Sequence, residues 1–296
     1  MLPGKRNSTG AIYVLQGPPP AGTPFVGGIA VSQDGAIYVS QAFTPPFSPA
    51  NLFASGEQGA WYDPSDLSTM FQDSAGTTPV TAVGQPVGKI LDKSGRGNNA
   101  TQATAAARPV LRQDANSKYY LEFDGVDDSL ATAAIDFTAT NKASAFAGTY
   151  QQRSAVQVVF EQENTRFGIR FNSAAVPGGG ITTTMQTATT QVEIGEVSGS
   201  FPRTLVVSSS YDKSQVTANT QLSLRINQAV QSTVCAPGPV ADAGFDNARI
   251  IVGSKGSDSY LLGRIYSLIV LGRLATTQEI TDTETWVAAK TGVTLP

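Results

Sequence analysis

Apolar and polar residues alternate along much of the chain from residue 51 onward. In residues 222–226 the two leucines and the isoleucine share one face, and Ser223 and Arg225 share the other. This period of two is typical of an antiparallel strand with one buried face. In residues 265–271 the apolar run is nearly continuous, which predicts a central strand covered on both faces.

Further segments rich in β-favouring residues predict strands, and Gly, Asn, Asp or Pro separates many of them. The predicted strands are 60–63, 119–123, 145–150, 155–162, 167–172, 181–185, 191–197, 204–209, 221–226, 249–252 and 263–271. Only the C-terminus has a helical pattern. There Thr276 or Thr277 can cap the N-terminus of a helix, Glu279 completes a capping box, and Gly292 ends the helix. The prediction is an all-β sandwich with a short helix covering one open end.

The first fifty residues differ from the rest, because Gly-Ala-Ile-Tyr-Val occurs twice among segments rich in Pro and Gly. The central residues of the two copies are Ile12, Tyr13, Val14, Ile37, Tyr38 and Val39. Each copy predicts a strand, and the surrounding segments favour extended chain. Since an isolated hairpin is marginally stable, we predict an attachment or assembly arm at 1–50 and a sandwich domain at 51–296. The alternative is a leader that packs against its own sandwich.

Composition excludes several classes of function. The 296 residues include no histidine, so neither a Ser-His-Asp triad nor a Cys-His pair can form. The single Cys235, in a predicted Pro-rich turn, can form neither an internal disulfide nor a thiolate zinc site, and is expected to be semi-buried. With 15% charged residues, a net charge of -3 and no basic run, the chain lacks the positive surface that nucleic-acid binding needs.

The hydropathy of the chain argues against membrane insertion. No apolar segment approaches the ~20 residues that cross a bilayer. Residues 1–7 carry positive charges with no apolar core behind them, so we expect no export by a signal peptide.

Five short motifs carry a family resemblance. They are Trp-Tyr-Asp-Pro at 61–64, Asp-Lys-Ser-Gly-Arg-Gly-Asn-Asn-Ala at 92–100, Phe-Asp-Gly-Val-Asp-Asp at 123–128, Gly-Arg at 272–273 and Lys-Thr-Gly at 290–292. Their order and spacing resemble the laminin-G or concanavalin A-like jelly rolls that tailed bacteriophages carry in head decorations and tail fibres. The resemblance covers roughly residues 51–296.

The resemblance implies a non-enzymatic structural protein of a phage virion, assembled in the host cytoplasm. A capsid decoration protein or a short head fibre fits the length best, with the N-terminal arm attached and the concanavalin A-like sandwich projecting outward. The alternative is a tail-fibre adhesin that binds host surface glycans. Expected partners are the major capsid protein or other virion proteins, and further copies of the chain, with a trimer favoured.

A candidate glycan site consists of Tyr62, Arg96, Asn98 and Asn99. Trp61 is expected in the core, and Tyr62, on the opposite face of its strand, is expected to be exposed where it can stack on a sugar. The polar residues of the 92–100 turn can bind sugar hydroxyls or satisfy their own loop backbone. The phage relatives often have histidine at the position of Asn99, which counts against a titratable role there.

The 123–128 turn is a candidate calcium site through Asp124, Asp127 and Asp128, because calcium prefers oxygen ligands. Some members of the laminin-G group bind calcium near a rim, as the resemblance implies. The spacing lacks the ligand positions of an EF-hand, and Asp and Gly are the residues that tight turns select. The favoured interpretation is a structural turn in which Gly125 has a positive φ and Asp124 and Asp127 accept backbone amides. No other cofactor is expected.

Glu161 and Glu163 lie on one face of a predicted strand and are a candidate catalytic pair. A retaining glycoside hydrolase needs two carboxyl groups ~5.5 Å apart. Glucanases with a concanavalin A-like fold separate their pair by four or five residues and place an Asp between the two, a motif that is missing here. Here Gln162 separates them, so we expect solvated charges and a protein that is not an enzyme.

Overall fold

In the computed structural model the chain divides between Pro46 and Phe47 into two units. Residues 29–31, 37–39, 47–163, 167–172, 180–186, 191–196, 200–236, 244–256 and 258–296 are described, with backbone only for 29–31, 37–39, 218 and 234–236. In the first unit, β1 (Ile29–Val31) pairs antiparallel with β2 (Ile37–Val39). The strand predicted at Ile37, Tyr38 and Val39 is therefore confirmed. Its first copy, with Ile12, Tyr13 and Val14, lies outside the described residues.

An eight-stranded antiparallel sheet forms one layer of the second unit. Its strands are β3 (Gly59–Tyr62), β7 (Val110–Gln113), β8 (Tyr119–Asp124), β10 (Lys142–Gln151), β15 (Arg203–Asp212), β16 (Leu222–Ile226), β17 (Ala229–Gln231) and β20 (Leu262–Leu271). They lie in the order β17-β16-β15-β10-β20-β8-β7, and β3 also pairs with β20. We call this layer the eight-stranded sheet.

A ten-stranded antiparallel sheet forms the other layer. Its strands are β4 (Met70–Phe71), β5 (Lys89–Ile90), β6 (Ala100–Thr101), β9 (Leu130–Asp136), β11 (Gln157–Gln162), β12 (Gly168–Phe171), β13 (Ile181–Gln186), β14 (Gln191–Gly195), β18 (Thr233–Ala236) and β19 (Asn247–Val252). They lie in the order β18-β14-β13-β12-β11-β19-β9-β6-β5-β4. The predicted class, an all-β concanavalin A-like sandwich, is confirmed.

The main core lies between the two sheets. Leu224 and Leu268 contribute to it from the eight-stranded sheet, and Phe160, Ile169 and Phe171 contribute from the ten-stranded sheet. Each of these side chains is buried. Alternation places the intervening residues of these strands on the outer faces of the two sheets, where the candidate sites lie.

A second apolar layer lies between the eight-stranded sheet and the C-terminal helix. The helices are α1 (Ala218–Gln221), α2 (Thr277–Thr291) and the 3-10 turns Pro49–Phe53, Leu67–Thr69 and Ala105–Ala107. α2 lies against β10, β15 and β20, where Trp61, Ile269 and Val287 are buried together. The helix was predicted to cover an open end of the sandwich. It covers a sheet face instead, because the outer face of β20 is itself apolar there.

The predicted ends of α2 are confirmed. The Thr276 hydroxyl accepts the Glu279 amide at 3.2 Å, and the Glu279 carboxylate accepts the Thr276 amide at 2.8 Å. Arg273 donates to the same carboxylate, and this hydrogen bond lowers the pKa of Glu279 to about 2. Gly292 ends the helix with φ 76°, which is the left-handed conformation that favours glycine.

Several strands have no clear signal in the sequence. β9 is rich in alanine, which is depleted in strands, and forms because it pairs with β19. Cys235 lies in β18 and not in the predicted Pro-rich turn, because residues 233–236 pair with β14. Among the described residues, no helix is long and apolar enough to cross a membrane.

Candidate functional site

The ring of Tyr62 lies in the core between the sheets and is 4% exposed, so the prediction that it is exposed is wrong. Its hydroxyl donates to the Asn98 carbonyl at 2.5 Å. Trp61, on the opposite face of β3, is buried beneath α2, as the core prediction requires. Both faces of β3 are therefore covered, and Tyr62 has no free ring face to offer a sugar.

In the 92–100 turn, two of the candidate glycan-binding side chains, Asn98 and Asn99, form hydrogen bonds with the protein's own backbone. The Asp92 carboxylate accepts the amides of Trp61 and Asn98, each at 2.9 Å. Asn98 Nδ2 donates to the Gly59 carbonyl at 2.7 Å, and Asn99 Oδ1 accepts the Asp92 amide at 2.9 Å. Arg96 is exposed. Glycan binding by this turn stays a prediction, and the contacts of both asparagines favour the structural interpretation.

The 123–128 turn brings the carboxylates of Asp124, Asp127 and Asp128 within 4.8 Å of one another. Asp124 Oδ1 accepts the Val126 amide at 2.8 Å, and Asp128 Oδ2 accepts the Asp124 amide at 2.9 Å. The second carboxylate that accepts a backbone amide is thus that of Asp128 and not, as predicted, that of Asp127. Gly125 has φ 77°, as predicted. Calcium takes six to eight oxygen ligands, so three carboxylates, two of which already accept amides, make an incomplete set, and calcium binding stays a prediction.

A cavity of about 560 Å³ lies beside this turn, on the outer face of the eight-stranded sheet; we call it the Arg264 cavity. Four cross-strand neighbours on adjacent strands line it, namely Val110 on β7, Glu122 on β8, Arg264 on β20 and Tyr150 on β10. These residues face outward because their neighbours Leu121, Phe123 and Ile265 face the core. Arg108, Arg112, Gln152, Asp124 and Asp128 also line the cavity.

Arg264 is held between aromatic rings and not by a carboxylate. Its guanidinium carbon lies 4.3 Å from the ring centre of Tyr150 and 4.6 Å from that of Tyr120, and Nη1 lies 3.5 Å from the Tyr266 hydroxyl. Glu122 is the cross-strand neighbour of Arg264, but its carboxylate accepts Arg112 Nε at 2.8 Å. Within the described part of the chain, Arg264 therefore has no carboxylate partner.

Burial changes the proton affinity of one carboxylate in the cavity wall. Asp128 is 5% exposed, and desolvation raises its pKa to about 6, with Asp124, Asp127 and Glu122 adding like charge.

A buried ion cluster occupies the outer face of the ten-stranded sheet; we call it the Arg170 cluster. Arg170 Nη2 donates to Glu161 Oε2 at 2.5 Å, and Nη1 lies 3.9 Å from Glu193 Oε1. The exposed fractions of Arg170, Glu161 and Glu193 are 7%, 3% and 0%. The interpretation of Glu161 as a solvated charge is wrong. Glu163 is the exposed one, and it pairs with Arg249 at 2.8 Å.

Two buried hydroxyls, of Thr182 and Thr184, lie on the same face as this cluster and have no hydrogen-bond partner among the described residues. The strand register sets Thr182 beside Arg170 and Thr184 beside Glu193. Sequence reasoning missed Arg170 and Glu193. The available signal was a charged residue at the alternate position of an otherwise apolar strand, as in Val192-Glu193-Ile194.

Comparison with known proteins identifies the fold but no family. No family model matches the chain, and no curated protein matches it. An arabinofuranosidase solved with arabinofuranosyl-α-1,2-xylobiose is similar in structure, with a TM-score of 0.57 and 15% identity over 83% of this chain and 65% of that one. A GH54 α-L-arabinofuranosidase soaked with a cyclic sulfate inhibitor has a TM-score of 0.54 and 15% identity over 82% of this chain and 66% of that one.

A sialidase of Trypanosoma rangeli, solved with 2,3-difluorosialic acid, gives a TM-score of 0.50 and 12% identity over 90% of this chain and 36% of that one. The chain thus spans less than two thirds of the length of each of these enzymes. The likeness shows the fold alone. It corrects the prediction that the chain is not an enzyme, because the similar structures are glycoside-cleaving enzymes and this fold gives no ground for excluding catalysis.

We expect R170Q to lower the free energy of unfolding by about 3 kcal/mol, because it removes the cation that lies between two buried carboxylates. The matched control is R249Q, which breaks an exposed Arg-Glu pair and is expected to change stability by less than about 1 kcal/mol. Urea denaturation at pH 7 measures both. Equal losses in the two variants would contradict the difference that burial predicts.

We expect D128N to be more stable than the wild type by about 1 to 2 kcal/mol at pH 7.5. The folded state holds the Asp128 proton more tightly than the unfolded chain does, so the charged form opposes folding above pH 6, and stability from this group rises as pH falls toward 4. The advantage of D128N should therefore disappear by pH 4 in guanidinium melts. D127N, at a partly exposed position, is the control, and a D128N variant that is less stable at both pH values would refute the expectation.

Proposed function

We propose that this chain is a subunit of a bacteriophage virion whose sandwich binds glycans of the host surface. The virion assignment is supported by the resemblance of the motifs at 61–64, 92–100 and 123–128 to phage jelly rolls. The glycan assignment is supported by one observation above all, which is the preformed Arg264 cavity with its mixed lining of charged groups and an aromatic ring.

The chemistry of the Arg264 cavity suits a saccharide. Sugar hydroxyls both donate and accept hydrogen bonds, and the wall offers donors on Arg112 and Arg264 and acceptors on Glu122 and Asp124. Tyr150 adds a half-buried ring, and such rings present an apolar face to the C–H side of a sugar. The volume of about 560 Å³ lies within the range usual for small-molecule sites.

The lining of the Arg264 cavity does not include Tyr62, Arg96, Asn98 or Asn99. Tyr62, Asn98 and Asn99 are engaged in packing or in hydrogen bonds of their own turn. The Arg264 cavity retains a cation without a carboxylate partner among the described residues. It therefore strengthens the adhesin alternative relative to pure decoration, and it is compatible with a position on either head or tail.

Full-length protein on a glycan array tests the binding assignment. We expect the wild type to retain a defined set of glycans and R264M to lose at least tenfold in affinity, because a charged hydrogen bond is worth about 1.5 to 3 kcal/mol. R249M, which alters an exposed arginine of the other sheet, is the control and should bind as the wild type does. A wild type that retains no glycan, or an R264M that binds normally, would refute the assignment.

Immunogold labelling of intact phage particles tests the virion assignment separately. Gold over the head or on the tail is the expected result, and its position separates decoration from a tail adhesin. Particles without any gold would overturn the virion assignment and leave the glycan assignment intact.

Glycoside cleavage at the Arg170 cluster is a second candidate function, and it requires that a substrate reach two carboxylates that are 3% and 0% exposed in this structure. It is favoured by the approach of two buried carboxylates, Glu161 and Glu193, to one guanidinium. Because both contact the same planar group, their oxygens lie at most about 9 Å apart, which is compatible with the carboxyl separations of glycoside hydrolases. One carboxyl would protonate the leaving oxygen, and the other would attack the anomeric carbon or activate water.

A panel of nitrophenyl glycosides, with α-L-arabinofuranosides included, tests this candidate by release of nitrophenol. If cleavage occurs, E161Q and E193Q should each reduce kcat by at least 100-fold, in line with loss of an acid or base group. E163Q, which changes an exposed carboxylate two residues away from Glu161, should retain full activity. Cleavage that survives both E161Q and E193Q would assign the chemistry elsewhere.

A further inference from the structure

The Arg264 cavity is lined by three arginines, and only one of them is paired with a carboxylate of the described residues. Arg112 is paired with Glu122 at 2.8 Å. Arg108 donates only to the backbone carbonyls of Gln102 and Ala103, at 3.0 and 2.8 Å, and Arg264 contacts only rings and a hydroxyl. Within the described part of the chain, two of the three arginines that line the cavity therefore have no carboxylate partner.

We infer that the saccharide bound in this cavity is acidic, and that its carboxylate pairs with Arg264. This inference rests on the proposed glycan binding. It names the class of ligand, a sugar with a carboxylate such as a uronic or sialic acid.

The aromatic contacts of Arg264 stabilise its charge without using its N–H donors. A cation is attracted to the face of a ring, so Tyr120 and Tyr150 compensate the guanidinium through their π systems. The rings also restrict the plane of the guanidinium, so less side-chain entropy is lost on binding. A fixed guanidinium with free N–H groups is the arrangement that binds a carboxylate through two parallel hydrogen bonds.

The acidic residues of the cavity do not block such a ligand. Glu122 is neutralised by Arg112. Asp124 and Asp128 accept amides within their own turn. The strand register sets Asp124 opposite Leu262, two residues along β20 from Arg264, which is a backbone distance of about 7 Å. A carboxylate at Arg264 thus lies beside the Arg112–Glu122 pair and away from the turn.

A second cavity, of about 580 Å³, shares Arg264 with the first. Its wall includes Tyr120, Tyr266, Asn116, Thr204 and the Asp114 carboxylate, which accepts the Tyr266 hydroxyl at 3.3 Å. It offers hydrogen-bonding groups and rings, and Arg264 is the arginine common to both cavities. An oligosaccharide can therefore extend past Arg264, with its acidic unit at the shared arginine and neutral units on either side.

Calorimetry with matched ligand pairs tests the inference on the full-length chain. Oligogalacturonates and sialylated oligosaccharides are each compared with their methyl esters, which have the same sugars but no charge. We expect the acids to bind at least tenfold more tightly than the esters, with an affinity that falls as salt increases. R264Q should abolish this preference, R264K should retain part of it, and R249Q should leave it unchanged, with all variants checked for folding by thermal melts.

The outcomes distinguish an acidic ligand at Arg264 from glycan binding by the cavity in general. Equal binding of acid and ester to the wild type, lost in R264Q, would overturn the acidic ligand and still support a glycan site. An acid preference that persists in folded R264Q would overturn the role of Arg264. Binding of neither form, together with no neutral glycan on the array, would overturn the proposed glycan binding itself.

Discussion

Strand β20 is the constraint on which the rest of the second unit depends, because it is covered on both faces. Ile265, Leu268 and Val270 face the core between the sheets, while Ile269 and Leu271 face the layer beneath α2. An apolar strand of this kind is stable only where both faces are removed from water. Its pairing with β10 on one side and with β3 and β8 on the other places the first and last parts of the domain together.

The same strand also explains why a cavity forms where it does. Toward its N-terminal end the outward residues of β20 change from apolar to polar and aromatic, with Arg264 and Tyr266 in place of Ile269 and Leu271. The apolar cover that α2 provides lies over the C-terminal half of the strand. The sheet face beyond it is thus left for groups that tolerate water, and these line the Arg264 cavity. The fold and the candidate site are two consequences of one sequence pattern.

Local patterns predicted most of the fold, and long-range register decided the rest. Most of the longer strands, the covered β20 and the capping box of α2 could be predicted because each depends on residues close in the sequence. The burial of Tyr62 could not, since Tyr62 faces the core between the sheets while α2 covers Trp61 on the opposite face of β3. A β-bulge at Tyr266 also shifts the alternation of β20, so that Leu268 and Ser267 exchange the faces that a strict period of two would assign. The Arg170 cluster requires four strands in register, which no single segment reveals.

The two arginine sites differ in how the protein compensates a charge, and this difference bears on function. Arg170 is buried against two carboxylates, which compensate its positive charge inside the protein. Removal of Arg170 is therefore expected mainly to lower stability. Arg264 is compensated by ring faces and gives one long hydrogen bond to the Tyr266 hydroxyl, which leaves most of its N–H donors available. A guanidinium kept partly buried without an anion costs desolvation energy that a structural role does not require. A ligand that supplies the anion recovers this energy on binding, and for this reason Arg264 is a better candidate for recognition than Arg170.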